Sequence, residues 1–365
     1  MSCSNPLSRD EALAERIFHG ALAALELHGM YLGRRLGLYA ALRARGASTA
    51  GELARTAGID ARYAREWLEQ QAVAGVLEVE DVAAAEEARR FHLPADHASV
   101  LLDEEHPTYS AALAEMLAGV GGAIERVVDA YRTGQGVDYV HYGAAFRDGQ
   151  GDVNRPVFAR DLVQRWLPAL ADLDARLRAQ PAARVADVAC GTGHSTIALG
   201  AAYPKAEVTG FDLDAASVED ARRNAERAGS RVRFARADAT ELAAAGPFEL
   251  ILVLEALHDM ARPTEALAAL RKALAPEGSV IVVDERVADR FSAPGDPVER
   301  IMYGWSIVHC LPASRCEPPS EALGTVLRAD TVRRCAENAG FASCEVLPVE
   351  HPVFRVYRLR EGAAS

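Results

Sequence analysis

The hydrophobic period of this chain changes near residue 184, and that change limits the folds open to it. Beyond it, short apolar runs rich in β-branched residues occupy 184–189, 207–211, 232–237, 248–254 and 279–283, each separated from the next by a helical stretch. Strands alternating with helices predict a parallel sheet covered on both faces, because parallel neighbours need a long crossover. The last two runs, 344–349 and 354–359, are joined by a short turn at His351-Pro352. So short a link cannot reverse the chain twice, so this pair is expected to be an antiparallel hairpin at the end of the sheet.

The first hundred residues read differently. Ser8 and Glu11 form an S-x-x-E capping box ahead of Leu13, Ile17, Ala21, Leu25 and His28 at helical spacing. Gly29 is expected to close that helix and Gly46 a second one from about residue 30 to 45. Thr49 and Glu52 open a third helix that stops at Gly58. Asp60 caps a fourth, carrying Tyr63, Trp67, Leu68 and Val73 and closed by Gly75. Two short strands at 76–80 and 91–93 follow. Helix, turn, helix and a two-stranded wing make a winged helix-turn-helix pattern. Residues 95–180 are expected to be mostly helical, with glycine joints at 119–122 and 134–136 and a last helix over 156–179. The expected divisions are 1–100, 101–180 and 181–365.

Charge narrows the partners. The net charge is −12, and the candidate recognition helix sets Arg62 and Arg65 against Asp60, Glu66 and Glu69. Phosphate contacts need clustered positive charge, so nucleic-acid binding is not expected. No apolar stretch approaches the ~20 residues of a membrane span, and residues 1–10 have no basic, apolar leader. Six cysteines (Cys3, Cys190, Cys310, Cys316, Cys335, Cys344) are too few for a disulfide scaffold in a chain of 365. They read as thiols of a cytoplasmic protein.

The candidate chemistry gathers at strand ends. The first strand runs into Asp187-Val-Ala-Cys-Gly191-Thr-Gly193-His-Ser195, where two glycines let the backbone approach a ligand ahead of a helix N-terminus. Asp212 closes the second strand about twenty residues on, where an acid can accept ribose hydroxyls; Asp214 is expected to cap the next helix. A dinucleotide fingerprint wants a third glycine at position 196, which is Thr196. Arg236-Ala-Asp238-Ala239 adds another acid after the third strand.

Together these motifs, over roughly residues 155–360, resemble the S-adenosylmethionine site of class I methyltransferases. The resemblance implies an α/β fold: a Rossmann-like seven-stranded sheet with an N-terminal all-helical winged-helix dimerisation domain. It implies that Asp187, Gly191 and Gly193 pass the methionine part of the cofactor. Asp212 and Leu213 would take the ribose side, Asp238 and Ala239 the adenine, and Glu255 would also touch the cofactor. The fourth strand leads into Glu255-Ala-Leu-His258-Asp259. In the winged-helix small-molecule O-methyltransferases of the caffeic-acid type, a His-Asp pair here supplies the general base. This assigns proton removal to His258, with Asp259 and Glu285 orienting it. One departure is that Met260 stands where those enzymes usually carry Trp. The subgroup's N-terminal module dimerises, so a homodimer through the first hundred residues is expected.

Met302, Trp305 and His309 read as one wall of a substrate site, and Tyr139, Tyr142 and Phe146 as an opposing lid. His309, Cys310 and Cys316 lack a C-x-x-C pair and a fourth ligand, so no metal is expected. The function so read is methyl transfer to an aromatic or polycyclic hydroxyl. Transfer to nitrogen or carbon on the same fold, or a nucleotide-sensing transcription regulator, are the alternatives.

Overall fold

The computed structural model describes residues 7–362; Cys3 lies outside them. The chain divides into two compact units, 1–118 and 119–365.

In the first unit, helix α1 (Arg9–Arg35) starts on the Ser8–Glu11 capping box. It does not stop at Gly29. Trp67 donates its indole N–H to the Gly29 carbonyl at 2.8 Å, and a Cβ on Gly29 would meet Gln70 Oε1 at 2.5 Å. This glycine serves a close approach to another helix, so α1 runs on to a break at Leu36-Gly37, where Gly37 takes φ +67°. Helix α2 (Leu38–Arg45) follows, then α3 (Ala50–Ala57) between the Thr49–Glu52 capping box and Gly58. Helix α4 (Ala61–Val73) is capped by Asp60, which accepts from the N–H groups of Arg62 and Tyr63. Trp67 and Leu68 point inward as expected, whereas Tyr63 and Val73 are exposed. Strands β1 (Glu78–Val79) and β2 (Phe91–His92) pair antiparallel as the wing. Helix α5 (Ala95–Leu102) comes next. The glycines at 119–122, expected to form a joint, lie inside helix α6 (Ala112–Thr133).

In the second unit, the helix expected from 156 begins earlier, at Gly143–Val157, and carries Pro156 within it. It passes into a wider π-helical turn, Phe158–Trp166, and ends in the short helices Leu167–Ala169 and Ala171–Arg178. The sheet has seven strands: β3 (Arg184–Val188), β4 (Glu207–Asp212), β5 (Arg233–Arg236), β6 (Phe248–Leu254), β7 (Leu274–Glu285), β8 (Ser343–Val346) and β9 (Phe354–Arg360). Their order is β5-β4-β3-β6-β7-β9-β8. The first five are parallel, and β9 runs antiparallel to both β7 and β8. Leu250, Ile251, Leu252 and Val253 are fully buried because β6 is central and has packed side chains on both faces. The order reverses between β3 and β6, and an open sheet of this kind has its ligand crevice at such a point, beyond the carboxyl ends of the strands. Among the described residues, no helix is long and apolar enough to cross a membrane.

Candidate active site

A cavity of about 630 Å³ opens at that edge, within the range of small-molecule sites. Its walls come from the second unit: residues 138–158, the turn after β3, the ends of β4 and β6, and residues 309–317.

The turn after β3 is shaped by backbone that most residues avoid. Ala189, Gly191 and Gly193 all take positive φ. A Cβ on Gly191 would project into open space, so this stretch can lie directly against a ligand. Gly191 donates its N–H to Asp212 Oδ2 at 2.7 Å, and Asp214 donates to Oδ1 at 2.8 Å. Each carboxylate oxygen therefore keeps a lone pair for a ligand hydroxyl. Burial raises the Asp212 carboxyl to about 6, against the pull of these two N–H groups. Asp214 caps the helix Ala215–Arg227, as expected.

Other expected cofactor residues sit elsewhere. Asp187 is buried beneath the turn and accepts from the Ser195 and Thr196 hydroxyls, both at 2.6 Å; burial raises it to about 6. It braces the start of the helix His194–Ala202 and does not face the cavity. Gly193 is packed from outside, since a Cβ there would meet the Phe234 ring at 2.7 Å. Asp238 accepts from Thr240 N–H and Oγ1, and lies 3.7 Å from Arg262. Neither Asp238 nor Ala239 reaches the wall; Arg236 lines it there, together with Leu213.

His258 is set deeper. It is 3% exposed and stands behind the wall. Its Nδ1 lies 2.9 Å from Asp284 Oδ1 and 3.3 Å from Glu285 Oε2, and its Nε2 lies 3.4 Å from Asp259 Oδ1. Burial opposes its charge, but the acids around it, Glu285 first, then Asp284 and Asp259, outweigh burial and raise the imidazole well above its ordinary range. The acids at the end of β7 hold one ring nitrogen, and the other is turned toward Asp259. Burial also opposes ionisation of Asp284, yet His258 keeps it below the usual carboxylate range. Burial and then Glu255 push Glu285 well above that range. His258, Asp284 and Glu285, and His258, Asp259 and Cys310, form two groups with metal-ligand chemistry.

The wall itself carries Glu255 and Asp259 from the end of β6, with Tyr139 and His309 beside them. Phe146 and Tyr142 back this wall. Phe146 stacks on His309 with centroids 4.1 Å apart, and Tyr142 meets it edge-on at 4.6 Å. Burial lowers His309 to about 4, so it is neutral near pH 7, and its Nε2 has no hydrogen-bond partner. Met302 and Trp305 do not reach the cavity; Trp305 touches Phe146 from behind. Sequence reading missed Arg147, Gln150 and Asn154, all in the wall. Their stretch is polar and lacks a motif, and only helical spacing could have put 147, 150 and 154 on one face.

Comparison with known proteins places the chain in a family. Residues 185–278 match the family model described as a methyltransferase domain, and residues 23–102 that of an Rv2258c-like winged HTH domain. A ubiquinone/menaquinone biosynthesis C-methyltransferase of Syntrophotalea carbinolica is 30% identical over 46% of this chain and 72% of its own length. The chain belongs to the methyltransferase family. The chain also resembles a demethylmenaquinone methyltransferase of Thermus thermophilus, 37% identical over 34% of the chain, and spans 60% of that relative's length. Over the whole chain its fold is that of the mitomycin 7-O-methyltransferase MmcR, with TM-score 0.68, 19% identity and coverage of 96% and 98%. Human N-acetylserotonin methyltransferase in complex with SAM gives TM-score 0.68, 16% identity and coverage of 99% and 100%. At such identities the two structures establish the fold alone, the seven-stranded sheet with an N-terminal winged-helix region.

Proposed function

We propose that this chain transfers a methyl group from S-adenosylmethionine to the oxygen of an aromatic or polycyclic hydroxyl, leaving S-adenosylhomocysteine. The observation that carries this reading is the latch between Asp212 and the Gly191 N–H, which presents an open backbone turn and an acid together at the cavity floor. These residues fit the cofactor: Asp212 would accept from the ribose hydroxyls, Leu213 would pack on the adenosine, and the 189–192 turn would lie along the methionine part. When bound, the cofactor supplies an electrophilic methyl group on sulfonium sulfur. The protein's share is to align the two reactants and keep water out, and such alignment accounts for a large part of the barrier in bimolecular transfers. Tyr139 and His309 offer flat surfaces for an aromatic ring, and the helix Gly143–Val157 supplies a roof through Arg147, Gln150 and Asn154. That the structural neighbours spanning nearly all of the chain include an O-methyltransferase favours oxygen over carbon or nitrogen.

Calorimetry tests this reading. We expect S-adenosylhomocysteine to bind in the micromolar range and NAD to give no heat; the reverse pattern would overturn the cofactor assignment.

We further propose a homodimer through the N-terminal unit. Leu13, Ile17, Phe18, Leu22 and Leu25 on α1 are all exposed, a contiguous apolar face of the kind that marks an interaction surface. Ile17 and Leu25 are 65% and 69% exposed, so replacing both with Glu should not disturb the fold of one copy. We expect wild-type protein to scatter light as a dimer and the Ile17→Glu, Leu25→Glu variant as a monomer with unchanged circular dichroism. A dimeric variant would place the interface elsewhere.

A further inference from the structure

We infer that Gln150 sets the acceptor specificity of the transfer: its amide N–H donates to a carbonyl oxygen on the same ring system as the reacting hydroxyl. The inference rests on the methyltransferase reading above and names the substrate class within it, an aromatic or polycyclic hydroxy-ketone. Gln150 lies outside both stretches that match family models.

Two side chains of the helix Gly143–Val157 fix how it lies over the cavity floor. Arg147 donates its Nε–H to Asp220 Oδ2 at 2.8 Å. Asp220 is on the helix that follows Asp212, so Arg147 stands at the end assigned above to the adenosine. Asn154, two turns on, donates from Nδ2 to Glu255 Oε2 at 3.3 Å. Glu255 follows β6 with φ +56° and leads into His258 and Asp259, the end where transfer would occur. Spacings of three and four residues put 147, 150 and 154 on one helix face. Gln150 therefore stands between the two ends, where donor and acceptor molecules would meet.

Tyr139 decides which way the amide faces. Among the described residues its hydroxyl has one partner, Gln150 Oε1, at 2.9 Å. Burial raises that hydroxyl well above its ordinary range, so it keeps its proton and needs an acceptor for it. With Oε1 so engaged, Gln150 has only its N–H groups left to offer. They meet no partner among the described residues, and Gln150 is half-buried in the cavity wall. The Tyr139 ring meets His309 and Phe146 edge-on, with centroids 5.7 and 6.1 Å apart. The group that orients the amide thus belongs to the aromatic wall on which an acceptor ring would lie.

A donor whose own acceptor is taken selects a group that accepts. A ring carbonyl has lone pairs and no proton, so it takes an N–H and leaves nothing unsatisfied. A hydrocarbon edge in the same place would strand the N–H away from water, and an unpaired buried donor costs more than its hydrogen bond gains. Sites built around such a donor reject the analogue that lacks the matching atom. An amine there would set donor against donor. Tyr139, Met260 and His309 offer surfaces that hold a ring without reading its substituents. Gln150 takes no part in the bond changes; it fixes which edge of the acceptor faces the roof.

The test compares full-length wild type, Gln150→Leu and Tyr139→Phe on a hydroxyfluorenone and the matching hydroxyfluorene, tricyclic phenols that differ by one carbonyl oxygen beside the hydroxyl. Calorimetry measures S-adenosylhomocysteine first, then each phenol on the loaded protein. We expect wild type to bind the ketone about tenfold more tightly, the scale of one buried donor gaining its partner. Gln150→Leu should bring that preference within about twofold, chiefly by weakening the ketone, with S-adenosylhomocysteine affinity kept within about threefold. Tyr139→Phe leaves the amide in place but free to turn, so the preference should fall part-way. A wild type that binds both phenols equally, or neither, would overturn the proposal. So would a Gln150→Leu variant that weakens both alike, which makes the residue a matter of shape. A variant that keeps the preference but loses tenfold in S-adenosylhomocysteine affinity would make Gln150 a cofactor ligand and overturn it too. Wild type failing to bind S-adenosylhomocysteine would instead defeat the methyltransferase reading, and the preference between the phenols on the protein alone would still decide the role of Gln150.

Discussion

His258→Ala is expected to lower the stability of the protein sharply, before any effect on turnover is considered. Among the described residues, His258 is the basic group paired with both Asp284 and Glu285, which are 0% and 3% exposed. Removing one partner of a buried ion pair strands the other and costs about 3–5 kcal/mol. For a unit of this size that is on the order of 10 °C in the unfolding midpoint. The loss should depend on pH in a defined direction. Asp284 has a folded-state pKa held below its ordinary value, so its contribution is present above the unfolded value near 3.9 and fades as pH falls through the folded one. His258 has its folded pKa raised, so its contribution is complete below the unfolded value near 6.5 and fades only as pH rises through the raised one. The gap between wild type and variant should thus be widest between about pH 4 and 7. Chemical denaturation of both proteins at pH 3, 6 and 10 measures it. If His258→Ala unfolds at the wild-type midpoint at pH 6, His258 is not the counter-ion of Asp284.

Asp212→Ala is expected to weaken S-adenosylhomocysteine binding by about 10- to 150-fold, the equivalent of one lost hydrogen-bonding interaction with a charged group at ~1.5–3 kcal/mol. The carboxylate holds the Gly191 and Asp214 N–H groups and keeps a lone pair on each oxygen. The substitution removes the ribose acceptor and also frees the turn that the cofactor must follow. Asp212→Asn separates the two contributions, since an amide can still accept from one N–H. We expect it to fall between wild type and Ala. Affinity in the wild type should also decline as pH drops through about 6, where the carboxyl takes up a proton. Calorimetry showing Asp212→Ala within threefold of wild type would remove Asp212 from the site.

The sheet was legible in the sequence because strands buried on both faces leave uninterrupted apolar runs, and Phe248–Leu254 was found to the residue. The hairpin at its end followed from the length of one turn. Gly29 and the glycines at 119–122 misled for a shared reason. Glycine inside a helix can permit close approach as well as mark an end, and Gly119 shows this too: a Cβ there would meet Phe146 Cβ at 2.5 Å. In the site, Gly191 and Asp212 were readable because a backbone turn and the strand beside it dictate their relation. His258 was found, but not the full set of acids that surround it. Its charge depends on acids from its own turn and from the end of β7, and no spacing within a motif reports that sum. The positive φ of Glu255 has no sequence signature at all.

The two sides of the cavity have separate origins in the chain. The floor, from Ala189 to Asp214 and on to Glu255, lies within the stretch that matches the methyltransferase domain, while residues 138–158 and 309–317 lie outside it. The parts that would grip the shared methyl donor are therefore encoded apart from those that would meet the acceptor. A lineage can redraw the roof, in length as well as in side chains, without disturbing the Gly191–Asp212 latch or the carboxyl at 255. For anyone seeking new acceptors, diversity belongs at positions such as Tyr139, Arg147 and His309, with the floor left untouched.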